Sequence, residues 1–406
     1  MNYPVLALIV ALSSPGPLAA WPLQAADLPT SFERIARVDE RSLAATVVHP
    51  LLLGFDLDPP GRAVAALVAS EDLGKARYVV LVDLQTERAR SVRTRESAPR
   101  DAEDINVLFT PDGRYLVILE QQQVQVLDVE TLGTVRTVDA PASGRGVPVS
   151  VCISRGRGLL AVSFREHGRR LEPNGKAPVH VEMVDVADGS RHGSWDAEDL
   201  PQSLSPAGTL AAVSTWSAEG PLLKLNVVET RSGRTVATSD GGFRFKKQDA
   251  GERRGRVVGA FLGEDEILLG PGGGWDSSGH FAGDRLRIAR VRDGSVVAEL
   301  KRTDLAEYGP TGEMAVSGDG QTIVATSHYL PPWFFTHPHR PTPKGTHPQL
   351  LVFSKEKTFR LTGVLAVPRP GGRIIGPTVS FRVAHDGTVL AVEEHYGVTI
   401  LRRRDR

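Results

Sequence analysis

A four-strand pattern packed into residues 105–139 constrains this chain more than any other feature, because earlier and later segments repeat it more loosely. Ile105–Phe109 and Arg114–Glu120 are short β-rich runs joined by Pro111-Asp112-Gly113. There Pro fixes φ and Gly supplies the positive φ that a tight hairpin turn needs. Gln121–Gln123 connects to Val124–Val129, whose period-two alternation marks a half-buried strand. Glu130–Gly133 turns again, and Thr134–Val138 is the fourth run. Four antiparallel strands this short cannot bury both faces alone, so the unit has to stack on copies of itself.

The copies can be followed along the chain. Leu51–Phe55, Ala63–Ala69, Tyr78–Asp83 and Arg88–Arg93 form a first unit, turned at Asp58-Pro59-Pro60-Gly61, and 105–139 is the second. The third reads Val149–Ser154, Leu159–Phe164 and Val179–Val186, closed by Asp188-Gly189. The fourth runs from Ser203–Gly208 through Leu210–Thr215 and Leu222–Glu229 to Arg234–Thr238. The fifth has Val257–Leu262, Ile267–Leu269, Arg285–Val291 and Val296–Leu300. The sixth has Glu313–Ser317, Thr322–Ser327, a long insertion, then Leu350–Phe353 and Thr358–Val364. The seventh offers only Thr378–Val383, Val389–Glu393 and Val398–Leu401 before the chain stops, whereas Phe32–Val38 is a strand without a hairpin partner. Placing that strand in the last unit closes a ring. The expected fold is all-β, a seven-bladed β-propeller spanning 32–406 as one domain, its ring closed by the N-terminal strand. Turn anchors at Gly61, Gly113, Gly158, Gly208, Asp265, Gly320 and Gly387 recur every 45 to 67 residues, the longer intervals marking loop insertions.

Composition narrows the function classes. Forty-one Gly and 28 Pro suit many short strands joined by turns. Lys+Arg and Asp+Glu are 48 each, so no overall field draws the chain to nucleic acid or to an anionic membrane. The single cysteine, Cys152, sits in an apolar run and reads as a small buried hydrophobe, with no intrachain disulfide and no Cys-based metal site. Residues 1–26 read as an export signal: an apolar core Val5–Leu12, breakers at Ser13–Pro17 and small residues at Ala25-Ala26, although Asn2, Tyr3 and Pro4 bring no basic start. That core is too short to span a bilayer, and no later stretch is long and apolar enough, so no membrane span is expected and the destination is secreted or periplasmic.

Phe109-Thr110-Pro111-Asp112-Gly113-Arg114-Tyr115 with Val126–Thr131, Leu204–Gly208 with Val228–Gly233, and Val184–Gly189 carry a family likeness. An apolar strand, a Pro/Ser-x-Asp/Ala-Gly turn and a Leu-x-Asp-Val-x-Thr-Gly-like hairpin resemble the WD40-like and YVTN-type β-propellers of bacterial exported proteins. The resemblance covers about residues 32–406 and implies the fold; propellers of this kind serve as binding platforms, as subunits and in some cases as enzymes. The Trp-Asp and Gly-His signatures of scaffold WD40 blades are missing in register, which favours the bacterial branch.

Two stretches stand apart from the repeat. The insertion 328–348 is rich in Pro, His and aromatics, with His328, Tyr329, Trp333, Phe334 and Phe335 as partner-contact candidates. Its His337, His339 and His347 are the best metal-ligand candidates, but no nearby Asp, Glu or Cys completes a ligand spacing, so neither metal nor cofactor is expected. Gly270–His280 lies between strands of the fifth unit, and its strand-to-strand context suits neither a phosphate loop nor a nucleophile elbow. It leaves Trp275 and His280 as contact candidates. The basic stretch 243–256 reads as a solvated loop, and Glu393-Glu394-His395-Tyr396 as structural, since neighbours in a strand face opposite ways. The leading expectation is a non-enzymatic exported module, a monomer or a subunit of a complex, that binds a protein or small-molecule partner. The alternative is a propeller enzyme, lactonase- or hydrolase-like or quinoprotein-type, with a metal or cofactor at the central channel; side chains from several blades converging on the channel would distinguish the two.

Overall fold

The computed structural model describes residues 31–38, 43, 50–70, 76–94, 107–120, 123–139, 146–165, 178–216, 223–239, 256–272, 285–301, 304, 308–329, 349–356, 358–366, 380–394 and 397–404. These form seven four-stranded antiparallel sheets arranged as propeller blades. Blade 1 is β2 (Pro50–Leu57), β3 (Ala63–Ser70), β4 (Arg77–Asp83) and β5 (Ala89–Arg93); blade 2 is β6 (Val107–Phe109), β7 (Tyr115–Glu120), β8 (Gln123–Asp128) and β9 (Thr134–Asp139). Blade 3 is β10 (Val147–Ile153), β11 (Leu159–Arg165), β12 (Val179–Asp185) and β13 (Arg191–Ala197); blade 4 is β14 (Pro201–Leu204), β15 (Leu210–Trp216), β16 (Leu223–Glu229) and β17 (Thr235–Ser239). Blade 5 is β18 (Arg256–Phe261), β19 (Glu266–Gly272), β20 (Arg285–Arg290) and β21 (Val296–Lys301); blade 6 is β22 (Tyr308–Val316), β23 (Thr322–Tyr329), β24 (Gln349–Ser354) and β25 (Arg360–Ala366). Blade 7 takes β26 (Phe381–Val383), β27 (Val389–Glu394) and β28 (Gly397–Arg404), and β1 (Ser31–Val38) pairs antiparallel with β28 from Ser31↔Arg404 to Val38↔Val398. The expected closure of the ring by the first strand is therefore present.

The core is divided into layers between neighbouring blades, and the period of two in each strand decides which layer a side chain joins. On β3, Val64, Ala66 and Val68 pack with Val389, Ala391 and Ile400 of blade 7, while Ala65 and Leu67 pack with Phe109, Leu116 and Ile118 of blade 2. On β7 the alternate pair, Val117 and Leu119, meets Leu160, Val162 and Phe164 of blade 3. Inner strands are buried on both faces, which is why they read as continuous apolar runs such as Val64-Ala65-Ala66-Leu67-Val68. No blade has a core of its own.

Six of the seven turns between first and second strands share one geometry. In six blades a backbone N–H donates to the carbonyl five residues on, at 2.8–2.9 Å, beginning at Asp58, Thr110, Ser154, Ser205, Ser317 and Ala384. In five of them the side-chain oxygen of that first residue also accepts the N–H five residues on: Ala63 to Asp58, Tyr115 to Thr110, Leu159 to Ser154, Leu210 to Ser205 and Thr322 to Ser317. Such a side chain acts as a local cap for the hairpin.

Two strands differ from the sequence reading. Arg191–Ala197 forms an outer strand of blade 3 that the pattern did not reveal. β23 runs to Tyr329, pairing Ser327, His328 and Tyr329 with Pro310, Gly309 and Tyr308, so His328 and Tyr329 end a strand rather than open a loop.

Candidate functional site

The first strands of the blades surround the axis, and a cavity of about 540 Å³ there is lined from all seven blades. Two turn-related positions supply much of its wall. In six blades the residue two before the turn lines the cavity: Asp56, Leu108, Cys152, Ser203, Ala315 and Arg382. The residue just after the turn's first position forms a second tier: Pro59, Pro111, Arg155, Gly318 and His385. Most of this wall is apolar or small. Three charged side chains interrupt it: Asp56 and Arg382 in the first tier, and Arg155 in the second.

Asp56 and Arg382 come from adjacent blades across the closure of the ring. Arg382 Nε lies 3.5 Å from Asp56 Oδ1, its guanidinium carbon is 5.6 Å from the centre of the Phe55 ring, and its Nη1 donates to Phe381 O at 2.8 Å. The Phe109 N–H donates to Asp56 Oδ2 at 2.7 Å. Burial nevertheless dominates, and pushes the Asp56 carboxyl up to about 6 against the pull of Arg382 and of the Phe109 N–H. On β22 of blade 6, Glu313 is also raised, by burial first and by the charge of Glu393, with Arg382 opposing.

Arg155 stands where other blades place Pro, Gly or His. It reaches from blade 3 across the axis, and its Nη1 donates to the Ser317 carbonyl of blade 6 at 3.1 Å. Burial lowers its guanidinium to about 10, so it remains a cation at neutral pH, with Asp56 acting on it electrostatically. Cys152 is half-buried on the cavity wall rather than sealed in a core, and burial pushes its thiol up to about 11, which leaves it protonated and a poor nucleophile. Beside it, Gln202 knits blade 4 to blade 5: its amide accepts from Gly259 N at 2.8 Å and donates to Ser214 Oγ and to Val257 O. Among the described residues no three His, Cys, Asp or Glu side chains form a metal-ligating group.

The ends of the propeller are unlike. Strand order puts the first-to-second and third-to-fourth connections on one face, and there every connection is a turn of at most five residues, such as 58–62, 154–158 and 186–190. The strand ends joined by the second-to-third and inter-blade connections, 166–178, 240–255, 273–284, 330–348 and 367–380 among them, lie at the other face. Trp275 and His280 lie outside the described residues, as do Trp333, Phe334, Phe335, His337, His339 and His347. Their segments follow directly on Gly272 at the end of β19 and Tyr329 at the end of β23, which leave neighbouring blades on the same face. The basic stretch 243–255 and the pair His395-Tyr396 are likewise outside the described residues.

Sequence reading singled out none of Asp56, Arg155 and Arg382. A signal was present: once the turns are aligned, Arg155 is the cation at a position otherwise held by Pro, Gly or His, and Asp56 and Arg382 are the charges at a position otherwise apolar or small. Seeing it required knowing that both positions face the axis.

Fold and channel together define a β-propeller of seven blades. No family model and no curated protein sequence matches the chain. Solved structures do. A chain of a mitotic checkpoint complex is 12% identical at a TM-score of 0.54, each chain covered over 100% of its length. The β-propeller domain of Cps50 (Swd1) from Myceliophteria thermophila is 13% identical at 0.52, covering 92% of this chain and 99% of that one. A chain of Kuenenia stuttgartiensis hydrazine synthase is 16% identical at 0.50, covering 86% and 95%. At such identities the likeness is one of fold alone.

Proposed function

We propose that this protein is an exported, non-enzymatic propeller that binds a protein partner through the face carrying its long connections. One observation carries the reading: every connection longer than five residues starts and ends at strand ends on that face, while the opposite face joins its strands by connections of four or five residues. Propeller rings supply a rigid scaffold, and loops on such a scaffold are where recognition concentrates. The aromatic segments around Trp275 and Trp333–Phe335 follow strands in adjacent blades, which favours a single contact region built from both. The apolar stretch and small residues of 1–26 support export, in keeping with the resemblance to bacterial exported propellers.

The test is site-specific photocross-linking in cells of the source organism. A cross-linker at position 275 or 333 is expected to give a discrete protein adduct, and one at Glu130 or Arg231 in the tight turns is not. The chain recovered in the adduct is expected to have lost about its first 25 residues by intact mass. Adducts only from the turn positions, none at all, or an uncleaved chain would overturn the reading. A second reading, an enzyme working at the central channel, draws on Asp56, a cavity carboxyl that burial raises to about 6. Hydrazine synthase among the fold neighbours shows that an enzyme can carry a propeller of this shape.

A further inference from the structure

The central cavity carries a charge arrangement that partner binding on the long-loop face does not use. Arg155 is enclosed by the inner strands, and among the described residues its hydrogen bond goes to a neutral carbonyl, Ser317 O, with no carboxylate at ion-pair distance. Its remaining N–H donors are not sealed in protein, since Arg155 itself lines the cavity and is only half-buried. Those open donors face a partly enclosed cavity, where an anion accepted through the planar guanidinium fork forms a charge-assisted pair better shielded from water than one at the surface. Arg382 differs, because it already faces Asp56 at 3.5 Å and stacks on Phe55.

We infer that the cavity binds a small monocarboxylic acid with an apolar body, its carboxylate held by Arg155. Three features select this chemistry. The volume of about 540 Å³ lies within the roughly 300–1,000 Å³ typical of small-molecule sites. Leu108, Val151, Met314 and Val383 offer an apolar wall for the body of the ligand. Asp56 shares the cavity, so a second negative charge on the ligand meets like-charge repulsion; a monoanion is preferred over phosphate or a dicarboxylate. The site goes beyond the proposed protein partner and does not depend on it.

Calorimetric titration of the full mature chain with 4-phenylbutyrate tests this, with 4-phenylbutanamide and inorganic phosphate as comparison probes. The acid is expected to bind, the amide at least tenfold more weakly, and phosphate not to compete. Arg155→Met keeps the apolar stem and is expected to weaken the acid tenfold or more without changing the amide, with Arg155→Lys between them. Asp56→Asn is expected to tighten the acid several-fold, an effect opposite in sign to that of a variant that merely damages the cavity. Equal binding of acid and amide, no effect of Arg155→Met in a folded protein, or competition by phosphate would overturn the inference. So would absence of binding to the wild-type chain, and none of these results bears on cross-linking at the long-loop face.

Discussion

Asp56 shows how one side chain reports its surroundings. Its carboxyl rises from 3.8 to about 6 because burial outweighs the help of Arg382 and the Phe109 N–H. A raised folded-state value means that the fold holds this proton more tightly than the unfolded chain does. The contribution is therefore complete below about pH 3.8 and is lost as pH rises through about 6. A shift of this size corresponds to about 2–3 kcal/mol. Asp58 and Glu313 are raised as well, and act in the same direction. Exposed turn carboxylates such as Asp128 and Asp293, lowered chiefly by hydrogen bonds from Thr131 and Ser295, act in the opposite one. Comparing Asp56→Asn with wild type in urea unfolding from pH 4 to 7.5 isolates the single group. The variant is expected to gain on wild type by about 2 kcal/mol across that range, and a pH-independent difference would contradict the burial account.

At the scale of the element, the hairpin turns look interchangeable in sequence but not in packing. Gly113 and Gly320 both sit at positive φ, +70° and +73°. A Cβ at Gly113 meets only Pro59 Cδ at 3.7 Å, whereas one at Gly320 would lie 2.1 Å from the Leu262 carbonyl oxygen of the preceding blade. Gly113→Ala is expected to cost about 1–2 kcal/mol from the left-handed backbone alone. Gly320→Ala adds about 1–3 kcal/mol of overpacking against a backbone that cannot rotate away. Thermal unfolding of the two variants checks the order, and equal losses would refute it. The same scale explains the outer strand that sequence pattern missed. Arg191–Ala197 is mostly solvent-exposed, with Trp195 its one buried residue, so no apolar alternation marks it. Its Gly193 looks like a strand breaker, yet a Cβ there would lie 2.7 Å from Arg231 Cα and Thr230 O, so the neighbouring blade requires the glycine.

For the whole molecule, closure is the controlling event. β1 covers the edge of β28, and Val38 and Leu43 complete the layer between blades 7 and 1. Deleting 31–38 leaves that edge unpaired and this layer incomplete, in a fold whose blades have no cores of their own. The truncated chain is expected to unfold at clearly lower denaturant than wild type and to associate on size-exclusion chromatography, and adding a peptide of residues 31–38 is expected to reverse both. A monomeric truncated chain with an unchanged midpoint would show that the ring does not need its closing strand.

Repeat count, blade order and the role of Phe32–Val38 were readable from the sequence, because turn chemistry and period-two alternation are local and recur in every unit. The candidate site was not. Asp56, Arg155 and Arg382 are separated by 99 and 227 residues along the chain, and no spacing links them. Only when seven first strands stand round one axis do equivalent turn positions become neighbours, and a charge that looks like any solvated surface residue becomes one enclosed with others. The local code determined what each blade is. The closing of the ring decided which of its side chains share a cavity, because burial and electrostatic coupling depend on distances through space that the chain order does not contain.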